Sequence, residues 1–241
     1  MDQLSRIVVP LDADAGFWIG PSGEKVRMVD ATGRIYQDRE ALCLLTALVC
    51  RAKPGGSLVV PVAAPQAIDD LAQTAGVVVQ RTRADGRSLN EAARNRQVRM
   101  VASLDGRFGF PAFQPHFDGL FTIAKIMEMC ARTGMSLAQA YEGVPQRSYL
   151  HQQLACSWEF KGGLMRRMSE DAIDRAASFV DGVRIDTGRG WVLVLPDQYR
   201  PVVHVFAESA DPVIAGQLCH EYRDKVAAWL EEMAQSATAG K

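Results

Sequence analysis

Long apolar runs, paired cysteines and a surplus of charge of either sign are all missing from this sequence, and each absence closes off a class of protein. No stretch approaches the length an α-helix needs to cross a bilayer, and Met1–Gly16 carries acids early with only a short apolar stretch, so neither a membrane span nor an export signal is expected. Five cysteines (Cys43, Cys50, Cys130, Cys156 and Cys219) sit singly inside apolar runs, with no C-x-x-C pair and an odd total. That pattern predicts reduced, buried thiols in a cytoplasmic protein and argues against a disulfide framework. The formal net charge is −1 and the basic residues are scattered, so the basic face of a nucleic-acid-binding protein is missing. His116, His151, His204 and His220 lie far apart in the sequence, which leaves no metal-ligand spacing. Internal repeats are missing too, and the small-residue tail Ser236–Lys241 is expected to fray.

What is there reads as two units containing both helices and strands. From Ala15 to Leu104 short β-rich runs alternate with helix-length amphipathic ones, the pattern of βαβ units on a mostly parallel sheet. Strands are expected at Gly16–Ile19, Val26–Asp30, Leu58–Val62, Val77–Thr82 and Arg99–Leu104, and helices at Asp38–Arg51, Ala67–Ala75 and Ser88–Asn95. Asp30-Ala-Thr-Gly33 and Lys53-Pro-Gly-Gly56 supply the turns between them. A longer helix fits Asp118–Arg132, where Leu120, Ile123, Ala124, Met127 and Cys130 recur at helical spacing, and Ser136 caps a shorter one to about Gly143.

The rhythm changes around Gly143-Val-Pro145, which places a boundary there: residues 1–145 as an αβα sandwich and 146–241 as a small α+β domain. The second unit reads as a strand Tyr149–Ala155, a helix Glu159–Phe179, strands Val183–Asp186, Trp191–Leu195 and Val202–Glu208, and a last helix opened by Asp211-Pro212. A proline just inside a helix start forfeits no helical hydrogen bond.

Four places could carry chemistry. Asp12 and Asp14 are either paired carboxylates on one strand face or a solvated pair near the terminus. Gly20-Pro-Ser-Gly23, followed by Glu24-Lys25, is a glycine-containing turn with no helix after it, and so does not match a phosphate-cradling loop. Ala102–Gly119 packs glycines, aromatics, prolines and charges between a strand and a long helix, where α/β folds place ligands; Arg107, His116 and Asp118 are its candidate contacts if it is more than a packing loop. In Val194–Pro201, beside Asp197, Arg200 could grip a phosphate bidentately and Tyr199 could stack on a sugar ring, or the segment is a solvated hairpin.

In this order and spacing the segments resemble the α-D-phosphohexomutase superfamily, the phosphoglucomutases and phosphomannomutases, over nearly the whole chain. The likeness is to the family's third domain, an αβα sandwich, and to its small C-terminal domain. Gly16–Asp30 falls on the family's metal loop, G-x-x-x-D-G-D-x-D-R and a strand ending in V-D, but the aspartate positions hold Gly20, Ser22 and Glu24 and the arginine position holds Lys25. Three hard carboxylates are what magnesium needs, so the resemblance implies a lost metal site and no cofactor. The sugar-reading loop G-E-x-S-G-H falls on Asp105–Phe110 with Asp118-Gly119 after it, and its glutamate and serine are replaced by Gly106 and Phe108. The phosphate loop R-P-S-G-T-E-P falls on Leu195–Pro201, both prolines kept and the arginine gone. Nothing matches the family's phosphoserine motif, so no catalytic residue is assigned.

Phe110–Phe117, Trp158-Glu-Phe-Lys161 and Trp191–Pro196 look most like the eroded mutase regions fused to bacterial mannose-1-phosphate guanylyltransferases. That branch implies a non-catalytic module supporting mannose-1-phosphate and GDP-mannose metabolism, with a nucleotidyltransferase as partner. The alternatives are the C-terminal half of a split mutase whose N-terminal half is a separate chain, and a sugar-phosphate sensor using Arg83, Arg87, Arg107 or Arg200. No nucleic-acid or membrane partner is expected.

Overall fold

A computed structural model describes residues 1–239, which separate into a unit ending at Pro145 and a unit beginning at Gln146. In the first unit a short helix α1 (Asp2–Val8) precedes strands β1 (Ala15–Ile19), β2 (Val26–Asp30) and β3 (Ile35–Tyr36), which form their own antiparallel sheet in the order β1-β2-β3. Then follow α2 (Asp38–Ala52), β4 (Ser57–Pro61), α3 (Ala67–Thr74), β5 (Val78–Thr82), α4 (Gly86–Ala92), β6 (Val98–Ala102), β7 (Phe108–Gly109), α5 (Gly119–Thr133) and α6 (Leu137–Glu142). The second sheet runs β5-β4-β6-β7, parallel except for the antiparallel β6–β7 pair.

This corrects the expectation of a single, mostly parallel sheet: the glycine turn at 20–23 folds β1 back on β2, and a hairpin cannot feed a parallel crossover. Asp12 and Asp14 share no strand, because Asp12 sits in the turn after α1 at φ 50°, and both are exposed.

The core of this unit follows from α2 and β4. Every residue from Ala41 to Cys50 is buried, so α2 is apolar on all sides and needs neighbours all round: β2, β3 and β6 touch it, as do α3, α5 and α6. A capping box fixes its start, with Gln37 N donating to Glu40 Oε2 at 2.8 Å. Leu58, Val59 and Val60 are buried in the central strand β4, which is why it reads as a continuous apolar run. Each such side chain contributes about 1.5–3 kcal/mol on burial. Helix α5 starts at Asp118, whose carboxylate accepts from Phe121 N at 2.8 Å, and stops at Gly134, which takes φ 65°.

The second unit is an antiparallel sheet covered by two helices. Its elements are β8 (Ser148–Ala155), α7 (Trp158–Asp171), β9 (Ala176–Ser178), β10 (Val183–Asp186), β11 (Trp191–Pro196), β12 (Val202–Ser209) and α8 (Pro212–Ala239), with strand order β8-β12-β11-β10-β9. Leu164 and Met168 of α7 join Leu218, Cys219, Tyr222 and Val226 of α8 over Val192, Val194, Val203 and Val205 in one buried cluster.

The helix expected to reach Phe179 ends at Asp171. Ala176–Ser178 pairs instead with Asp186–Arg184, so ladder hydrogen bonds along β10 win over the helical propensity of a short alanine-containing stretch. Of the tail expected to fray, Ser236–Ala239 continues α8, and Gly240 and Lys241 lie outside the described residues. The five cysteines are free, Cys130 half-buried and the others buried. No helix among the described residues is long and apolar enough to cross a membrane.

Candidate functional site

Each unit gathers polar side chains around one aspartate. In the first, the turn between β1 and β2 meets the loop between β6 and β7 and the start of α5. Gly20 N donates to Lys25 O at 2.9 Å, Val26 N to Gly106 O at 2.8 Å and Gly119 N to Gly23 O at 2.7 Å, so backbone alone binds the three segments together. Gly106 is required here: it takes φ 86°, and a Cβ on it would stand 3.0 Å from Val26 O. Gly119 is equally constrained, since a Cβ would approach Gly23 O to 2.8 Å.

Asp105 is the centre of this cluster. Lys25 Nζ lies 2.8 Å from its Oδ2 and Arg107 Nε donates to its Oδ1 at 3.0 Å, while Ser103 Oγ donates to the same Oδ1. Burial alone would raise the Asp105 pKa, but bonds from Lys25, Ser103 and Arg107 outweigh it and hold the carboxyl below its ordinary value. Arg107 also lies 3.9 Å from Glu24 Oε2, and its guanidinium sits 5.1 Å from the Phe117 ring centroid. Asp118 is spent on α5: besides capping it, the carboxylate accepts from Gln114 Nε2 at 2.8 Å. His116 is exposed and takes no part in the cluster.

A divalent cation does not fit these residues. The turn at 20–25 offers one carboxylate, Glu24, with Gly20 and Ser22 at the positions of the other two, and the nearby cations Lys25 and Arg107 pair with Asp105 and Glu24. No group of three or more histidine, cysteine, aspartate or glutamate side chains among the described residues is placed to hold a metal.

In the second unit Asp197 follows β11 directly and organises the loop to β12. Its Oδ1 accepts from Tyr199 N at 2.8 Å and Arg200 N at 2.9 Å; its Oδ2 accepts from Arg200 Nε at 3.0 Å and Nη2 at 2.9 Å, and lies 3.0 Å from His204 Nε2. The carboxylate is only 12 % exposed. Burial opposes its ionisation, but the bonds from Tyr199 N, His204 and Arg200 prevail and hold it well below the usual carboxylate range.

Behind it, His151 Nε2 lies 3.0 Å from His204 Nδ1, and the His151 ring stacks on Phe206 at 4.3 Å. In the tautomer that has His204 Nε2 donating to Asp197, its Nδ1 accepts from His151 Nε2. Lys161 of α7 donates to Asp197 O at 2.5 Å and Arg200 O at 2.6 Å, pinning both ends of the turn, and lies 3.6 Å from the Trp158 ring centroid. Tyr199 is 83 % exposed.

Sequence reasoning singled out Asp197, Tyr199 and Arg200 but not His204, His151 or Lys161. The histidines are brought together by the antiparallel pairing of β8 with β12, in which His151 faces Phe206 and His204 faces Gln153. Arg83 pairs with Asp85 at 3.2 Å and Arg87 is exposed on α4.

Comparisons with known proteins agree with this architecture. Residues 38–148 match the family model described as phosphoglucomutase/phosphomannomutase, alpha/beta/alpha domain III. The chain is 27% identical over 238 residues to a protein of Methanocella arvoryzae named "Probable phosphoglucosamine mutase", covering 98% of this chain and 52% of that one. It is 26% identical over 206 residues to a phosphoglucomutase/phosphomannomutase of Thermococcus kodakarensis, covering 85% of this chain and 45% of the other. Among solved structures, a phosphoglucomutase/phosphomannomutase family protein from Burkholderia thailandensis superposes with a TM-score of 0.79 at 20% identity, over 94% of this chain and 49% of that one. The chain thus spans about half the length of the curated relatives it matches. These matches make the chain similar to about half of a phosphohexomutase, with the likeness to alpha/beta/alpha domain III at residues 38–148.

Proposed function

We propose that this chain is a non-catalytic phosphohexomutase module that supports sugar-nucleotide synthesis, at the level of mannose 1-phosphate and GDP-mannose, by binding, regulation or assembly. One observation carries the reading. The charged groups kept at the two loops are turned on one another: Lys25 and Arg107 on Asp105, and Arg200 and His204 on Asp197. Catalysis needs groups whose interactions strengthen as charge develops on the substrate, and donors already committed to an internal carboxylate offer none. No catalytic residue is assigned, magnesium plays no part, and the partner is a nucleotidyltransferase.

The test is an assay of the purified chain with glucose 1-phosphate and mannose 1-phosphate, together with affinity capture from its native cell. No isomerisation and recovery of a nucleotidyltransferase are expected. Turnover that co-purifies with the chain would defeat the proposal.

A second reading, the C-terminal half of a split mutase, is favoured by apolar surface on the first unit. Trp18 and Ile19 are exposed on the edge strand β1, and Leu120 and Met127 are exposed on α5, which packs beside it. Under that reading a separate N-terminal half covers this surface and restores mutase activity on co-expression. Leu120→Glu would then abolish the restored activity while leaving the isolated chain folded.

A further inference from the structure

Helix α5 has two faces without charge, and the first unit uses only one of them. Gly119, Thr122, Ile126 and Met129 are buried. On the opposite face Leu120, Ala124, Met127 and Ala131 are exposed, Leu120 by 71% and Met127 by 61%. Their spacing of four, three and four residues is that of the a and d positions of a coiled coil, so they form one stripe along the helix. Single exposed apolar residues are ordinary on a protein surface, whereas a stripe kept clear of charge marks a contact. The charged neighbours Lys125, Glu128 and Arg132 stand along one flank and are tied to one another, Lys125 Nζ to Glu128 Oε2 at 2.6 Å and Arg132 Nη1 to Glu128 Oε1 at 3.3 Å.

We propose that the exposed stripe of α5 docks on the same stripe of a second copy of this chain, the two helices antiparallel about a two-fold axis that passes between Lys125 and Ile126. A two-fold contact must be self-complementary, each residue meeting its counterpart twice. The inference is independent of the activity proposed above. It competes with the second reading for one surface, because that reading covers the same face with a separate N-terminal half.

Size, shape and charge single out a second copy as the occupant. In this register Leu120 of each copy faces Ala131 of the other and Ala124 faces Met127, so every large side chain meets an alanine. Parallel pairing would set leucine on leucine and methionine on methionine, with the alanines facing each other across gaps. Alanine at alternate positions lets the helix axes approach to about 8 Å, the short end of helix packing distances. The C-terminal end of the stripe also borders a cavity of about 360 Å³, lined among others by Phe17, Ile126, Met127, Cys130, Gly134 and Met135. Antiparallel docking delivers the exposed Leu120 of the other copy to that end, and the methionines can adapt to it. The same register sets Glu128 of each copy on the flank where the other carries Lys125, so unlike charges meet along the rim.

Sedimentation equilibrium of the full chain at rising concentration tests this, with circular dichroism to establish that each variant keeps its native helix content. The intact chain is expected to reach twice its monomer mass, with a dimer Kd below about 0.1 mM. Leu120→Ala and Ala131→Leu, both at exposed positions, each weaken the dimer by about tenfold or more, the first by emptying the contact and the second by setting leucine against leucine. The double variant puts large against small again across the axis and recovers most of the intact affinity, a rescue that general loss or gain of apolar surface does not give. A folded chain that stays monomeric throughout overturns the proposal. So does a dimer indifferent to both single variants, or one that the double variant fails to rescue. If the monomeric chain instead forms a one-to-one complex with a co-expressed N-terminal mutase half, and Leu120→Ala breaks it, the face belongs to the second reading.

Discussion

Asp30 and Asp197 do the same local task in opposite surroundings. Each stands at the end of a strand and folds the following turn by accepting main-chain amides, Thr32 and Arg34 in the first unit and Tyr199 and Arg200 in the second. Around Asp30 every other donor is neutral: Thr32 Oγ1 at 2.6 Å, on an exposed residue, and Tyr36 Oη at 2.7 Å, in the interior. Around Asp197 they are an arginine and a histidine beside an exposed tyrosine. Neutral donors around a buried carboxylate have no other anion to serve, whereas an arginine near the surface does. A sequence search for functional carboxylates has no means of separating the two, since both are aspartates followed by turn residues.

The comparison breaks first at Asp30. Asp30→Ala leaves Tyr36 Oη without its acceptor in the interior, at about 1–3 kcal/mol, and removes three turn bonds from Thr32 and Arg34 at about 0.5–1 kcal/mol each, about 3–5 kcal/mol in total. Urea unfolding followed through the amides of β2 and β3 is expected to show a loss of that size. Asp197→Ala costs less, about 1–3 kcal/mol, because the Arg200 head rehydrates and Lys161 still clamps the turn. A larger loss at Asp197 than at Asp30 would reverse the assignment of structural and displaceable carboxylates.

Acid sharpens the same contrast. Both carboxyls titrate below the ordinary aspartate value, Asp30 because bonds from Thr32, Tyr36 and Arg34 overcome its burial, and Asp197 for the parallel reason. A folded-state pKa that is depressed gives stability present in full above the unfolded value, near 4, and lost as the pH falls through the folded one. The stability gap between the intact chain and Asp197→Asn should therefore be constant from about pH 7 to pH 5 and close below about pH 4. A gap that instead opened on acidification would mean that the folded carboxyl titrates above its unfolded value.

How much of this was legible in the residues depends on range. Val26–Asp30, Asp38–Arg51 and the Asp118 start of the long helix were readable because periodicity and capping are local, and their observed bounds differ by little. Helix α1 and the two-residue strands β3 and β7 were not, since a two-residue strand has no period to detect. At the candidate sites the turn residues were visible and their partners were not: Lys161 reaches carbonyls 36 and 39 residues away, and His151 lies 53 residues from His204. Strand register and helix docking set those distances, and neither is written in a single stretch of sequence.

The smallest expected effect lies at the remaining aspartate. Lys25 and Asp105 are about equally exposed, 42% and 40% by side chain, and such a pair is worth about 0.2–1 kcal/mol because water and salt compete for both ends. Arg107 is less exposed at 27%, and its stacking on Phe117 adds apolar and cation–π contact to the ion pair. Lys25→Ala should thus cost under about 1 kcal/mol and lose most of its effect in molar salt, while Arg107→Ala costs more and keeps its effect. Thermal unfolding of both variants at low and high salt checks this. Equal, fully salt-screened losses would make Arg107 a surface charge like Lys25, and would remove the Asp105 cluster from the groups fixed by packing.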